Sequence, residues 1–107
     1  MKQFDIHVAY IAWGDTGKRR PALIFSDDGD FVSVFGITTQ FNIKSPAIRA
    51  NYIPIDDWEF SGLSKPSYTD INTINEIPKA IIDVKPIGKL SEKDKKKLTV
   101  LLNSREL

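Results

Sequence analysis

The chain contains no cysteine and only one histidine among its 107 residues. The lack of cysteine excludes disulfides, thiolate nucleophiles and zinc sites built on thiolates, so packing and oligomerisation must hold the fold together. Because His7 is the only imidazole, a mechanism that uses two histidines as acid and base is excluded as well. On a first strand, a histidine of this kind is more often a structural residue than a catalytic one.

Long apolar runs and a large net charge are missing too. No stretch approaches the roughly 20 apolar residues that cross a bilayer, and Asp5 stands where a signal peptide would be apolar. A cytosolic protein with no membrane association is therefore expected. The net charge of +1 argues against nonspecific wrapping of nucleic acid. A local basic patch is still expected around Lys18, Arg19, Arg20, Lys44, Arg49 and Lys65.

The apolar pattern predicts five or six short strands followed by one helix. With 41% hydrophobic residues, the chain fits one compact domain over residues 1–107. Asp28 and Gly29 indicate a tight hairpin turn, Gly36 indicates a bulge, and Ser91 with Asp94 indicates the start of the helix. We therefore expect a mainly β fold with a C-terminal helix, a small and strongly bent sheet or barrel. The predicted strands are Asp5–Trp13, Arg20–Ser26, Asp30–Gln40, Asn51–Asp56 (an edge strand because of Pro54), Ser67–Ile74 and Ile81–Val84, with a loop over Phe41–Ala50 and the helix ending near Ser104.

Three familiar site patterns do not fit the chain. Gly14–Lys18 lacks the four residues between glycines, and the serine or threonine after the lysine, that a P-loop requires. A calcium loop that began at Asp27 would need a glutamate at its twelfth position, where Thr38 stands. The acidic residues of segment 56–59 are more simply a solvated turn than a pair of catalytic carboxylates. No metal or cofactor is expected.

Two residues at predicted strand ends, Arg20 and Thr38, form a candidate phosphate site. If their strands pair through a hairpin, both side chains reach the same rim of the sheet. The planar fork of arginine fits phosphate oxygens, and threonine adds a hydroxyl donor. When the 2′-hydroxyl of RNA attacks the adjacent phosphate, the reaction passes through a dianionic, five-coordinate phosphorus. Hydrogen-bond donors held in fixed positions stabilise the oxygens of that species. Arg20 is therefore assigned to charge stabilisation, with protonation of the departing 5′-oxygen as a further role, and Thr38 to orienting the phosphate; ordinary structural roles are the alternative.

Four motifs, in a fixed order, carry a resemblance to a known family. They are Arg20-Pro21-Ala22-Leu23-Ile24, Ile37-Thr38-Thr39-Gln40, Trp58 with Gly62-Leu63 and Lys65-Pro66-Ser67-Tyr68, and Ile87-Gly88-Lys89-Leu90-Ser91. Together they cover nearly the whole chain with short spacings. In this set and order the sequence resembles the MazF/PemK toxins of type II toxin-antitoxin systems.

The resemblance implies a small SH3-like barrel, of the kind shared by MazF, PemK and CcdB, and a cytoplasmic homodimer. It implies metal-independent, sequence-selective cleavage of single-stranded RNA, in particular mRNA, to a 2′,3′-cyclic phosphate and a 5′-hydroxyl. It also implies a cognate antitoxin protein whose flexible tail covers the RNA groove. Arg20 and Thr38 match the catalytic arginine and threonine of the family. The implied RNA-binding residues are Lys18, Arg19, Gln40 and Ser67.

Two other functions stay open on the sequence alone. One is a binding protein of the same architecture without catalysis, such as the gyrase poison, although that class has an apolar C-terminus with a tryptophan, unlike Asn103–Leu107. The other is an inactive RNA-binding or regulatory relative. In addition, only Gly14–Arg19 separate the first strand from Arg20, where many family members have a longer glycine-rich loop. The short loop is expected to alter RNA selectivity before it alters cleavage.

Overall fold

The computed structural model describes residues 1–13, 16–40 and 45–105. Within these residues, six strands form one antiparallel sheet that bends into a half-barrel, and a helix follows the last strand. The mainly β fold with a C-terminal helix is thereby confirmed. None of the described helices is long and apolar enough to span a membrane. The elements are β1 (Asp5–Trp13), β2 (Thr16–Asp27), β3 (Phe31–Thr38), α1 (Pro46–Arg49), β4 (Tyr52–Ile55), β5 (Ser67–Pro78), β6 (Gly88–Lys89) and α2 (Glu92–Arg105).

The sheet has the strand order β4-β5-β3-β2-β1-β6, so β4 lies at an edge, as Pro54 predicts. A tight turn joins β2 to β3. There, Asp28 Oδ1 accepts hydrogen bonds from the N–H groups of Asp30 (3.2 Å) and Phe31 (2.8 Å), and Gly29 has a φ of 106°. The register between β3 and β5 shifts between Val34 and Gly36, which confirms the predicted irregularity.

The start of β2 differs from the prediction. The strand begins at Thr16 rather than Arg20, and it pairs with β1 as far as Trp13. Lys18 and Arg19 are therefore strand residues, whereas the sequence placed them in a loop. Backbone pairing with β1 extends the strand through polar residues, whose sequence shows none of the apolar pattern that predicts a strand. Of the predicted loop, Gly14 and Asp15 lie outside the described residues.

Two further segments also carry more structure than predicted. β5 continues past Ile74 to Pro78, because its pairing with β3 resumes after the register shift, from Asn75 opposite Val34 to Pro78 opposite Phe31. The predicted loop over Phe41–Ala50 contains α1, which begins at Pro46, a residue suited to the first position of a helix. Residues 41–44 of that loop lie outside the described residues.

The predicted strand over Ile81–Val84 is wrong. Lys79–Ile81 forms a single turn of 3-10 helix, and Ile82 makes only an isolated bridge with Ala9. Ile82 is buried, whereas Val84 is 87% exposed. The apolar residues of this segment anchor it to β1 at one point and do not form a continuous strand face.

Side-chain alternation along the strands places apolar residues on both faces of the sheet. Leu23 and Phe35 belong to the larger cluster, beneath α2, whereas Ala22 and Ile24 belong to the smaller one. The larger cluster contains Ile6, Leu23, Phe35, Ile37, Ile53, Ile55, Leu63, Ile71, Leu90 and Leu98.

Asp94 joins α2 to the turn that follows β4. Ser91 Oγ accepts a hydrogen bond from the Asp94 N–H at 3.2 Å, which confirms the predicted helix cap. The Asp94 carboxylate is only 2% exposed and accepts the N–H groups of Asp56 (3.1 Å) and Asp57 (3.0 Å). The Asp94 carboxylate therefore holds the acidic segment after β4 by binding the backbone N–H groups of Asp56 and Asp57.

Replacing Asp94 with alanine leaves two backbone donors without their acceptor and removes a carboxylate from the start of a helix. We expect Asp94→Ala to lower the free energy of unfolding by about 2–4 kcal/mol, measured by urea unfolding. The matched control is Asp30→Ala, at an exposed position in the β2–β3 turn. Equal losses in the two variants would contradict this role of Asp94.

Asp27 anchors the end of β2. Its carboxylate lies 2.8 Å from Lys79 Nζ and 2.5 Å from the amino group of Met1, and it accepts the Gly29 N–H at 2.8 Å. These contacts, that with Lys79 first, hold the pKa of Asp27 well below its ordinary value.

A carboxyl whose pKa is lower in the folded than in the unfolded protein stabilises the fold at pH values above its unfolded pKa. For Asp27 that contribution is complete above the unfolded value of about 3.9 and is lost as the pH falls through the lower folded value. We expect Asp27→Asn to reduce stability at neutral pH and to flatten the decline of stability below about pH 4. Urea unfolding over a pH series measures both effects. Identical acid slopes in the wild type and this variant would rule the contribution out, and Asp30→Asn is the control.

Candidate active site

β2 and β3 separate at Pro21. Their pairing ends at Ala22 opposite Gly36, next to Pro21. Proline has no N–H group with which to continue a strand ladder, so the separation of the strands at this point has a local cause. The gap opens a cavity between β2 and the end of β3.

The cavity has a volume of about 420 Å³, within the usual range for small-molecule sites. β2 contributes Arg20 and Pro21, segment 37–40 forms a second wall, and the turn at 62–65 forms a third. The cations on its described lining are Arg20 and Lys65, and that lining includes no carboxylate and no imidazole. Its electrostatics therefore favour an anion.

Arg20 and Thr38 project from the same face of the sheet. Ala22 and Gly36 are the last pair of the ladder; Arg20 lies two residues before Ala22 and Thr38 two residues after Gly36, so strand alternation points both side chains to the same face. Both line the cavity. Arg20 is half-buried, and among the described residues its guanidinium has no ion-pair or hydrogen-bond partner. The fork of the guanidinium is available to a ligand.

Thr38 is oriented by its own backbone. Its Oγ1 accepts a hydrogen bond from the Gln40 N–H at 3.1 Å, while its backbone pairs with Tyr68 of β5. The hydroxyl acts as an acceptor in this bond, and the bond does not use its proton, which can be donated to a ligand oxygen. The β-branched side chain also has few rotamers, so the donor is held in place.

The predicted RNA-binding residues divide between two locations. Gln40 and Ser67 line the cavity, whereas Lys18 and Arg19 are not among its lining residues. Strand alternation directs Arg19 away from Arg20, and its guanidinium forms an ion pair with Asp83.

Ser67 lines the cavity, and its hydroxyl is bound to the protein backbone, a contact that the sequence does not indicate. It is only 5% exposed, and its Oγ donates to the carbonyl oxygen of Lys65 at 2.8 Å. Its proton is therefore already used within the protein. The contact fixes the backbone of Lys65.

Two glycines bring the turn of the cavity wall against the start of β6. Gly62 has a φ of 86°, and a Cβ added there would clash with the carbonyl oxygen of Ile87. A Cβ added to Gly88 would clash with the carbonyl oxygen of Ser61. The backbones of 61–62 and 87–88 thus cross at a distance that only glycine permits. The only sequence signal of this crossing is that both glycines occur in the family motifs.

His7 is part of the sheet and not of the cavity lining. It is 2% exposed, and its Nδ1 lies 2.8 Å from the carbonyl oxygen of Asp83. Its contact ties the segment after the 3-10 turn to β1, a structural arrangement of the kind that a lone histidine on a first strand indicates.

The family model for the PemK-like, MazF-like toxin of type II toxin-antitoxin systems matches residues 2–104. The chain belongs to this family. The resemblance found in the sequence motifs is thereby confirmed, and membership of a type II family implies an antitoxin as partner. A comparison with curated proteins gives no match.

The close crossing at Gly62 and Gly88 predicts that alanine destabilises the protein much more at these two glycines than at Gly36. We expect Gly62→Ala and Gly88→Ala to lower the free energy of unfolding by about 2 kcal/mol or more, because backbone atoms must move to admit the methyl group. Gly36→Ala is the matched control, since a Cβ there meets no atom within 4 Å. Thermal unfolding compares the three variants. A loss at Gly36 equal to that at the two crossing glycines would contradict the crossing.

Proposed function

We propose that this toxin is a metal-independent endoribonuclease that cleaves single-stranded RNA, in particular mRNA, at selected sequences. The observation that carries the proposal is that Arg20 and Thr38 line one cavity whose described lining is cationic. The MazF/PemK family is generally one of toxin endoribonucleases, which supports the same conclusion. The products are a 2′,3′-cyclic phosphate and a 5′-hydroxyl.

In this reaction the 2′-oxygen of the RNA attacks the adjacent phosphorus and gives its proton to solvent water. The bond from phosphorus to the 5′-oxygen breaks, and the departing oxygen keeps the electron pair and takes up a proton from water. Negative charge accumulates on the non-bridging oxygens. Arg20 offers two N–H donors in one plane and Thr38 offers one O–H donor, so both stabilise that charge. Guanidinium keeps its proton at neutral pH, which assigns Arg20 to stabilisation and not to proton abstraction.

The open cavity suits a single strand better than a duplex. Unpaired bases of single-stranded RNA can turn outwards and present their hydrogen-bonding edges to a protein. Gln40 is exposed at the rim and carries an amide with both donor and acceptor capacity, so we assign it to RNA contact. Contacts of Lys18, Arg19 and Ser67 with RNA stay predictions; Arg19 would have to leave its ion pair with Asp83 to make one.

We also propose that the protein acts in the cytoplasm as a homodimer and that its antitoxin inhibits it by covering the cavity. An acidic or flexible segment of the antitoxin would oppose the positive charge of Arg20 and Lys65. Such a segment would exclude RNA from the same space.

The test is cleavage of single-stranded RNA by the purified protein in excess EDTA, with detection of the cyclic phosphate end. Arg20→Ala should reduce the cleavage rate about 10²–10³-fold, because it removes a donor aimed at the developing charge. Arg19→Ala, one residue earlier on the same strand, should cost far less. Thr38→Val should also lower the rate while it preserves the shape of the side chain.

Thermal unfolding of the same variants shows whether any loss reflects the fold. Cleavage that EDTA abolishes, or an Arg20→Ala protein as active as the wild type, would contradict the proposal. RNA that binds without being cut would identify the protein as a binding module instead.

A further inference from the structure

Lys65 is the second cation of the cavity, and it lies on a different wall from Arg20. It belongs to the turn before β5 and is exposed. Among the described residues, its ammonium group has no ion-pair or hydrogen-bond partner. Lys79 and Lys97, in contrast, both pair with acids. An unpaired ammonium and an unpaired guanidinium on two walls of one cavity, with no carboxylate on the described lining, favour a ligand with more than one negative charge.

The backbone of Lys65 is held firmly. Ser67 Oγ is buried and donates to the Lys65 carbonyl oxygen at 2.8 Å. The next residue, Tyr68, lies opposite Thr38 in the pairing of β5 with β3. Lys65 therefore lies just outside the sheet, three residues before Tyr68, the β5 residue that faces Thr38. The flexible ammonium is attached to a fixed point on the rim of the same cavity.

We infer that Lys65 binds the phosphate next to the one that is cleaved. The inference rests on the proposed function: Arg20 and Thr38 hold the scissile phosphate, and a single strand of RNA carries another phosphate one nucleotide away. A lysine ammonium is a mobile point charge without the planar fork of arginine, which suits it to neutralising a phosphate and not to shaping a transition state. Lys65 thus contributes to RNA affinity, and Ser67 positions it.

The inference predicts a change in salt dependence. Each phosphate contact made with single-stranded nucleic acid contributes about −0.7 to the slope of log affinity against log salt concentration. We expect Lys65→Gln to make that slope shallower by about 0.7 and to weaken binding about two- to fivefold at low salt. The probe is a single-stranded RNA oligonucleotide of random sequence, 2′-O-methylated throughout so that it cannot be cleaved. Fluorescence anisotropy over a potassium chloride series gives the slope.

Two further variants sharpen the test. Lys96→Gln removes the same charge from an exposed position on α2, which does not line the cavity, and should leave the slope unchanged. Lys65→Arg keeps the charge and should also leave it unchanged. With unmodified RNA, Lys65→Gln should raise KM with little effect on kcat, since a neighbouring phosphate is bound equally in the ground and transition states.

The outcomes separate this inference from the proposed function. If the wild type cleaves RNA but Lys65→Gln keeps the wild-type slope, the inference is overturned and the nuclease proposal stands. If Lys65→Gln lowers kcat as strongly as Arg20→Ala, Lys65 acts at the scissile phosphate and the inference is also overturned. If the wild type binds RNA without cleaving it and the slope still falls, the nuclease proposal fails while the phosphate contact of Lys65 holds.

Discussion

The pairing register of β2 and β3 is the constraint on which the site depends. A slip of one residue would turn either Arg20 or Thr38 to the opposite face of the sheet. The tight turn at Asp28 and Gly29 starts the pairing, and a bulge between Ile24 and Ser26 then shifts the register by one residue. Burial of Leu23 opposite Phe35 in the larger core cluster holds the shifted register that continues towards the site. The stability of the core and the geometry of the candidate active site therefore have the same physical origin.

The cavity next to this register forms because one backbone N–H group and two Cβ atoms are absent. Pro21 does not continue the ladder, so the strands part, and Gly62 and Gly88 carry no Cβ, so a turn can approach closely enough to form the third wall. The site so formed holds two cations that no described lining residue neutralises. Cations left without an acidic partner in this way favour the binding of a polyanion.

Local signals explain what the sequence could predict. The bounds of β1, the Asp28-Gly29 turn and the cap at Ser91 each depend on a few neighbouring residues, and each is found in the structure. Arg20 and Thr38 both line the cavity, and a hairpin that returns β3 alongside β2 is the reason for expecting the two residues close together; their catalytic roles stay a proposal. The early start of β2, the missing strand at Ile81–Val84 and the third wall of the cavity could not be predicted, since they depend on contacts between segments distant in the chain. Alternation along β5 places Ser67 on the same face as the buried Ile71, but no local signal indicates that its hydroxyl binds the carbonyl oxygen of Lys65.

The most direct test of the central claim is a crystal structure of the protein with a short RNA that has a 2′-deoxy nucleotide at the cleavage site. One phosphate group is expected within hydrogen-bonding distance of both the Arg20 guanidinium and the Thr38 hydroxyl, with the RNA running on towards the turn at 62–65. A strand bound on another face of the sheet, or a phosphate that contacts only one of the two side chains, would contradict this expectation.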